Sequence, residues 1–248
     1  MKTQHIAIIM DGNRRWSKFN NCSIIKAYET GLNTLEKTIE DCIKLNVKYL
    51  TVFGFSTENW KRSKKEISFL FKLFNKFLDK SLLEAANKDI KINFIGDLDE
   101  FSETIQNKTL LLSKITAKKK KLTLTVAVNY GGKQEILKAV QNCLNDGIKN
   151  LNSLKDFERY LFNFNSPGID LLIRTGGEKR LSNFTLWHLA YTELIFIDQM
   201  WPDFNSNLLK DSIDEFISRK RKFGGSWKLL QIMNFLKDYH HLFFFLVL

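Results

Sequence analysis

The sequence predicts one α/β domain: a mostly parallel sheet of six strands covered by helices on both faces. Three observations lead there. Six short β-branched or apolar runs alternate with longer segments of helical period, the pattern of strands joined by crossover helices. Nothing in the 248 residues reads as an internal repeat or a Pro/Ser-rich linker, and Pro occurs only twice. The length suits a single domain, 1–248, with 225–248 set apart as a C-terminal tail. With 44% apolar and 26% charged residues, the chain can bury a core, which excludes a disordered protein.

The elements follow in order. The run at 6–10 (IAIIM) is a strand that ends on Asp11; it is too short for a leader or a membrane span. A helix at 32–45 leads to a strand at 49–55 (YLTVFGF), rich in aromatic and β-branched residues. The helix at 64–87 carries Ile67, Leu70, Phe71, Phe74, Phe77, Leu78 and Leu82 at three- and four-residue spacing, one broad apolar face that reads either as a core-facing stripe or as one that in part lines a hydrophobic cavity. Strand 90–95, helix 100–116 and strand 122–128 come next, then helices at 133–145 and 154–162. Strands at 171–173 and 194–197 flank a helix at 183–191, and a helix at 208–222 closes the series. The final LFFFLVL, 242–248, is also too short to cross a bilayer.

The formal charge of +11, 38 Lys and Arg against 27 Asp and Glu, invites a nucleic-acid reading. The cations are 30 Lys and only 8 Arg, however, and no recognition motif accompanies them. The run Lys118 to Lys121 reads as a solvated loop. Cys22, Cys42 and Cys143 form no closely spaced pair and fit a reducing cytosol, so a cytoplasmic protein is expected. Where Lys is the default cation, an Arg marks a place that needs a planar fork for phosphate or carboxylate. Arg14, Arg15, Arg62, Arg174 and Arg180 all fall in polar, Gly- or Trp-bearing segments.

Those segments follow strands. Strand 6–10 runs into Asp11, Gly12, Asn13, Arg14, Arg15 and Trp16; strand 49–55 into Ser56, Thr57, Glu58, Asn59, Trp60 and Arg62; strand 122–128 into Asn129, Tyr130 and two glycines; strand 171–173 into Arg174, two glycines, Arg180, Leu181 and Ser182. In a parallel sheet all these ends open on one rim, where open α/β folds bind ligands. Glycines admit an anion to the backbone, arginines supply forks, and Ser56 and Ser182 add hydroxyls. Such a rim suits phosphate, more than one group of it. Asp11 and Glu193 are candidate Mg²⁺ ligands, since Mg²⁺ needs one or two carboxylates and takes the rest from phosphates and water. Asp11 also reads as a cap or turn residue, and Glu193 as half of a buried ion pair. Walker, GxGxxG, GxSxG and His/Cys metal motifs are absent.

With these residues in view, the sequence resembles the cis-prenyltransferases, and among them the bacterial undecaprenyl diphosphate synthases. The stretches that carry the resemblance are HIAIIMDGNRRW, LTVFGFSTENWKRSKKEISFL, IGDLDEF, AVNYGG, DLLIRTGGEKRLSNFTLWHLAYTEL and WPDF, from His5 to about Phe204, with RKFGG at 221–225 extending them. The resemblance implies a homodimer with a six-stranded parallel sheet and a hydrophobic tunnel. It implies Mg²⁺-dependent addition of isopentenyl diphosphate to an allylic diphosphate, farnesyl diphosphate, to give a long cis-polyprenyl diphosphate, the carrier lipid of cell-wall synthesis, made at the inner face of the membrane. Under it, Asp11 is the essential acid that steers Mg²⁺ and the allylic diphosphate, and Gly12, Asn13, Arg14, Arg15 and Trp16 form the allylic diphosphate loop. Ser56, Thr57, Glu58, Trp60 and Arg62 shape the junction between substrates, and Asn59 matches the proton acceptor proposed for the family. Arg174, Arg180, Leu181 and Ser182 grip isopentenyl diphosphate, and Glu193 is a metal ligand. The pattern departs in one region: Ile24 and Ala27-Tyr28 stand where the family usually has Arg and Gly-His, and Arg14 stands where Gly is usual. A non-catalytic relative acting as a partner subunit is the rival reading.

Overall fold

The computed structural model describes residues 3–148, 150–162 and 166–219. One compact unit spans Met1–Ile217. The tail at 225–248 and the RKFGG stretch lie outside the described residues.

Six strands form a single, wholly parallel sheet in the order β3-β4-β2-β1-β5-β6. They are β1 His5–Ile9, β2 Tyr49–Ser56, β3 Ile90–Ile95, β4 Leu122–Tyr130, β5 Leu171–Arg174 and β6 Glu193–Phe196. The helices are α1 Asn13–Phe19, α2 Ile24–Lys44, α3 Lys64–Glu84, α4 Glu103–Thr116, α5 Gly132–Asn145, α6 Leu154–Glu158 and α7 Ser206–Ser218. From β1 the chain leads to β2 on one side, and from β5 to β6 on the other. The crevice between the carboxyl ends of β1 and β5 is therefore the place where strand order reverses.

Both faces of the sheet are buried, and β1 shows how. Its alternate side chains Ile6 and Ile8 join one core cluster with residues of α2, α3, α4 and α7. Ala7 and Ile9 join a second with Phe184 and Leu189. Every β1 residue is covered, so the strand reads as a continuous apolar run. Ile8 is fully buried; truncating it to Ala would cost about 2–5 kcal/mol.

Six helix assignments need correction. Residues 13–19 are helix rather than loop, and α2 starts at Ile24 rather than 32 because Ser23 caps it, its hydroxyl accepting from Lys26 N at 3.1 Å. Residues 183–191 form turns, not a helix. Ser182, Asn183 and Thr185 have φ of 48°, 62° and 37°, a left-handed conformation that no α-helix continues through. Asn183 is instead pinned to the start of α5, its carbonyl accepting from Gly132 N at 2.6 Å and its Oδ1 from Lys133 N at 2.9 Å. The helices at 64–87, 100–116 and 154–162 are shorter than their patterns, beginning or ending in turns.

Candidate active site

A cavity of about 680 Å³ opens at the carboxyl rim and runs down between the sheet and α2 and α3. Its mouth is polar and its depth apolar. Asp11, Asn13, Ser56, Glu58, Asn59, Arg62, Arg174, Arg180 and Ser182 line the mouth, Gly54 lies just below it, and Leu70, Phe71, Phe74 and Phe77 line the depth. Phe94 of β3 lies behind the lining, edge-on to Phe74 at 6.0 Å. The β2–β4 ladder slips on both sides of Phe55, just past Gly54. A Cβ on Gly54 would come within 3.2 Å of Val126 Cγ1, so glycine keeps this wall thin.

Arg174, the last residue of β5, anchors the mouth. It is 3% exposed. Its Nη2 donates to Asp11 Oδ2 at 2.7 Å, and its Nη1 donates to Ser182 Oγ at 2.7 Å and to the carbonyl of Arg180. One guanidinium thus ties the loop after β1 to the loop after β5. Its buried Nε has no partner among the described residues, an unsatisfied donor of the kind that functional sites carry. Asp11 is held further by Arg15 Nη2 at 3.3 Å and by Gly12 N at 2.6 Å. Its carbonyl accepts from Thr175 Oγ1 and Trp201 N. Arg15 also donates to the Gly176 carbonyl at 2.5 Å, and Arg15 and Arg180 share Glu178. Arg15, Arg174 and Arg180 outnumber Asp11 and Glu178, so this rim favours an anion.

Two glycines make the approach possible. Gly176 has φ +84°, and a Cβ there would stand 2.8 Å from Arg15 Nη2 and 3.1 Å from the Asp11 backbone. Gly12 has φ +111° and is pressed against Met200, with a Cβ only 2.8 Å away. No L side chain fits either position.

The second wall of the mouth is the short 3₁₀ turn Thr57–Lys61 after β2. Ser56 and Asn59 cap it reciprocally, Ser56 N donating to Asn59 Oδ1 at 3.1 Å. Glu58 accepts from Asn183 Nδ2 at 3.0 Å. Burial pushes its carboxyl up, but the hydrogen bonds from Asn183, its own backbone, Ser56 and Thr57 outweigh that and hold it below the usual value. Trp60 donates Nε1 to Asn129 Oδ1 at 2.8 Å and stands edge-on to Phe55 and Phe71.

A family model described as putative undecaprenyl diphosphate synthase matches residues 9–224. The chain belongs to this prenyltransferase family. The ditrans,polycis-undecaprenyl-diphosphate synthase ((2E,6E)-farnesyl-diphosphate specific) of Micrococcus luteus is 43% identical over 227 residues, 90% of this chain and 91% of that protein. An isoprenyl transferase of Thermotoga maritima is 40% identical over 225 residues, 90% of this chain and 97% of that one. Among solved structures, lavandulyl diphosphate synthase from Lavandula x intermedia, in complex with dimethylallyl diphosphate, superposes with a TM-score of 0.85 at 33% identity, covering 90% of this chain and 98% of that one. A probable undecaprenyl diphosphate synthase from Campylobacter jejuni gives a TM-score of 0.77 at 32% identity, covering 90% and 100%.

Set against this prenyltransferase fold, the site residues named from the sequence fall into three groups. Nine line the cavity mouth, as given above. Gly12, Arg15, Thr57, Trp60 and Leu181 stand just behind it; Leu181 packs on the second core cluster. Trp16 points elsewhere, donating Nε1 to Asp203 Oδ1 at 2.8 Å, while Arg14, outside the cavity lining, pairs with Glu66 at 3.3 Å. Glu193 is the correction. It pairs in register with Leu171, which pairs with Ile6. That puts it at the amino end of the sheet, about 10 Å below the level of Ile9 at a strand rise of ~3.3 Å, with Asp11 two residues further on. Glu193 and Asp11 of one chain cannot share a metal ion.

The sequence did not point to Glu66, which the structure brings to the same mouth. This buried carboxylate accepts from Tyr28 Oη at 2.7 Å and Arg62 Nη1 at 3.2 Å, and Arg62 also donates to Tyr28 Oη at 2.7 Å. Tyr28 and Arg62 both line the cavity. The phenol is pushed well above its usual pKa, chiefly by burial, so it stays a donor. In the sequence, Ser63-x-x-Glu66 reads as an ordinary helix start, which hides Glu66. Lys18 and Lys26, the lysines on either side of Ile24 in the sequence, do not line the cavity.

Proposed function

We propose that this prenyltransferase condenses isopentenyl diphosphate with an allylic diphosphate, farnesyl diphosphate, and repeats the addition to make a long cis-polyprenyl diphosphate, the undecaprenyl carrier lipid. The observation that carries this is the Arg174–Asp11 contact across β5 and β1, set over a cavity that is cationic at its mouth and apolar in its depth. One end suits diphosphates, the other an isoprenoid tail.

In this reading Asn13 and Arg15 hold the allylic diphosphate, Asp11 would hold the Mg²⁺ beside it, and Arg174, Arg180 and Ser182 hold isopentenyl diphosphate. Two separately gripped diphosphates bring the reacting carbons together, which supplies much of the acceleration. Arginine donors stabilise the charge that develops as the allylic diphosphate departs. The Phe and Leu lining excludes water from the cationic carbon. Asn59, whose amide oxygen is engaged by Ser56 N, orients the second substrate, and a diphosphate oxygen takes the proton, because an amide is a very weak base.

Mg²⁺ fits through Asp11 alone. Among the described residues no three His, Cys, Asp or Glu side chains gather as a metal cage. A cation that draws most ligands from phosphates and water needs no cage. Bound there, it would add charge stabilisation to the leaving diphosphate. A homodimer is supported by the exposed Leu137, Val140 and Leu144 of α5, an apolar stripe that a second copy could cover. A lipid product implies work at the membrane surface; no described helix is long and apolar enough to cross a bilayer.

The test is incorporation of labelled isopentenyl diphosphate by the purified chain with Mg²⁺ and farnesyl diphosphate, followed by product sizing. Absence of any chain elongation would overturn the proposal in favour of a partner-subunit role.

A further inference from the structure

The outer face of α4 is apolar where solvent should make it polar. Leu110, Leu111 and Ile115 are 68%, 50% and 46% exposed, and Leu83 near the end of α3 is 82% exposed. Asp79 of α3 pairs with Lys108 of α4 at 2.5 Å. That pairing ties α3 to α4, and Leu83 and Leu111 each follow one turn further along their own helix. Lys114 stands between Leu110 and Leu111 at helical spacing, and Lys118 to Lys121 continue past the helix end. None of these five lysines forms an ion pair among the described residues; Lys119 Nζ bonds only to the carbonyl of Ala86, at 3.3 Å.

We propose that this face, Leu83, Leu110, Leu111 and Ile115 with Lys114 and Lys118 to Lys121, docks the protein on an anionic lipid bilayer. The inference rests on the reading of a long isoprenoid product and names the surface that meets the membrane. Large aliphatic side chains interleaved with unpaired lysines are what an interfacial helix presents to lipid: the chains enter the headgroup boundary and the ammonium groups stay among the phosphates. A second copy of the chain is a poor occupant. A two-fold interface would set the five lysines against their own equivalents. Nucleic acid would meet the lysines but leave the leucines unburied, with no aromatic platform for bases.

The interior points the same way. Phe77 lines the floor of the main cavity, and a smaller one of about 50 Å³ lies on its other side, lined by Phe77, Ile90, Ile92, Leu124 and Thr116, the last residue of α4. A chain held by its diphosphate at the carboxyl rim grows toward the amino edge of the sheet, the edge at which α4 ends and the lysine run begins.

The experiment is co-sedimentation of the full chain with vesicles of one part phosphatidylglycerol to two of phosphatidylcholine, and with phosphatidylcholine alone. Binding is expected to the anionic vesicles only and is lost as salt is raised from about 0.1 to 1 M, which shortens the screening length from ~10 to ~3 Å. Lys118→Gln/Lys120→Gln/Lys121→Gln should weaken it about a hundredfold, at roughly fivefold per lysine. Leu110→Ser/Leu111→Ser should weaken it at least tenfold. Both variants should keep wild-type incorporation of isopentenyl diphosphate in detergent solution, which also reports that they fold. Equal binding by wild type and variants, equal binding to neutral vesicles, or lysine-dependent retention of DNA without vesicle binding would overturn the proposal. Patch-dependent vesicle binding without any incorporation would overturn the enzymatic reading and leave the docking surface standing.

Discussion

Arg174 and Asp11 lie 163 residues apart, yet a 2.7 Å ion pair joins them at the carboxyl ends of neighbouring strands. The pair fixes the distance between the two loops that would each hold a diphosphate. Its guanidinium is buried and its carboxylate half-buried. Removing the acid leaves a buried cation short of its partner, at a cost of about 3–5 kcal/mol. Asp11→Asn keeps the shape and one acceptor. We expect Asn to lower incorporation about 10²–10³-fold with a small change in Tm, and Ala to lower both. Asp11→Ala with most activity intact would remove the residue from its assigned role.

Gly176 offers a second, steric test. Its φ of +84° strains any L residue, and an added methyl would meet Arg15 and the Asp11 backbone. Gly176→Ala should cost about 1–3 kcal/mol and raise the KM for the allylic diphosphate by shifting Arg15 and Asp11. Gly147, also at positive φ but with open space around it, is the control: Gly147→Ala should leave KM unchanged.

The sheet is legible in the sequence because its strands are short apolar runs bounded by polar segments, and a parallel sheet buried on both faces asks for nothing subtler. The rim is legible for the same reason, since each strand hands over to an Arg- or Gly-bearing segment. Three things are not. Residues 183–191 have helical periodicity, but three left-handed residues turn the chain back to cap α5, and periodicity does not register φ. Glu66 looks like a helix-start residue until the fold brings Tyr28, 38 positions away, against it. Glu193 follows a polar segment, as the true rim residues do not. The strand run at 194–197 already puts it at a strand start; only the register with Leu171 shows that this start lies at the far end of the sheet from Asp11.

The contact between Asn59 and Ser56 separates two roles for the amide. If Asn59 acts through its oxygen, holding the 3₁₀ turn and a substrate, Asp supplies the same acceptor. Asn59→Asp should then keep turnover within about tenfold of wild type, while Asn59→Ala loses the cap, worth ~1 kcal/mol, and far more activity. Equal loss in both variants would show that the amide NH₂ is the essential group.

His5 links stability to pH. It is buried, with Nδ1 2.7 Å from the Pro167 carbonyl and Nε2 2.8 Å from Thr51 Oγ1. The carbonyl can only accept, so neutral His5 carries its proton on Nδ1 and Nε2 accepts from Thr51. Burial pulls its pKa from 6.5 to about 4. The unfolded chain therefore takes up a proton that the folded one refuses. Stability is undiminished above pH ~6.5 and falls as pH drops toward ~4, by up to about 3 kcal/mol. Urea unfolding at several pH values should show this slope, and His5→Gln should flatten it.

Phe77 stands between the main cavity and the smaller one beyond, so its ring sets how far a growing chain can run before it must displace protein. Replacing it with Leu shortens the barrier while keeping an apolar side chain, a swap that costs about 1 kcal/mol. The two cavities then communicate, and the product distribution should move to longer chains. Gly54→Val works at the other end: its Cβ already meets Val126 at 3.2 Å, and its methyls would crowd the cavity near the mouth, so products should shorten. Chromatographic sizing reads both. An unchanged distribution for Phe77→Leu would mean that the chain leaves the cavity before reaching this ring, and the apolar path would have to be sought along Phe71 instead, whose ring borders a second groove between α3 and α4.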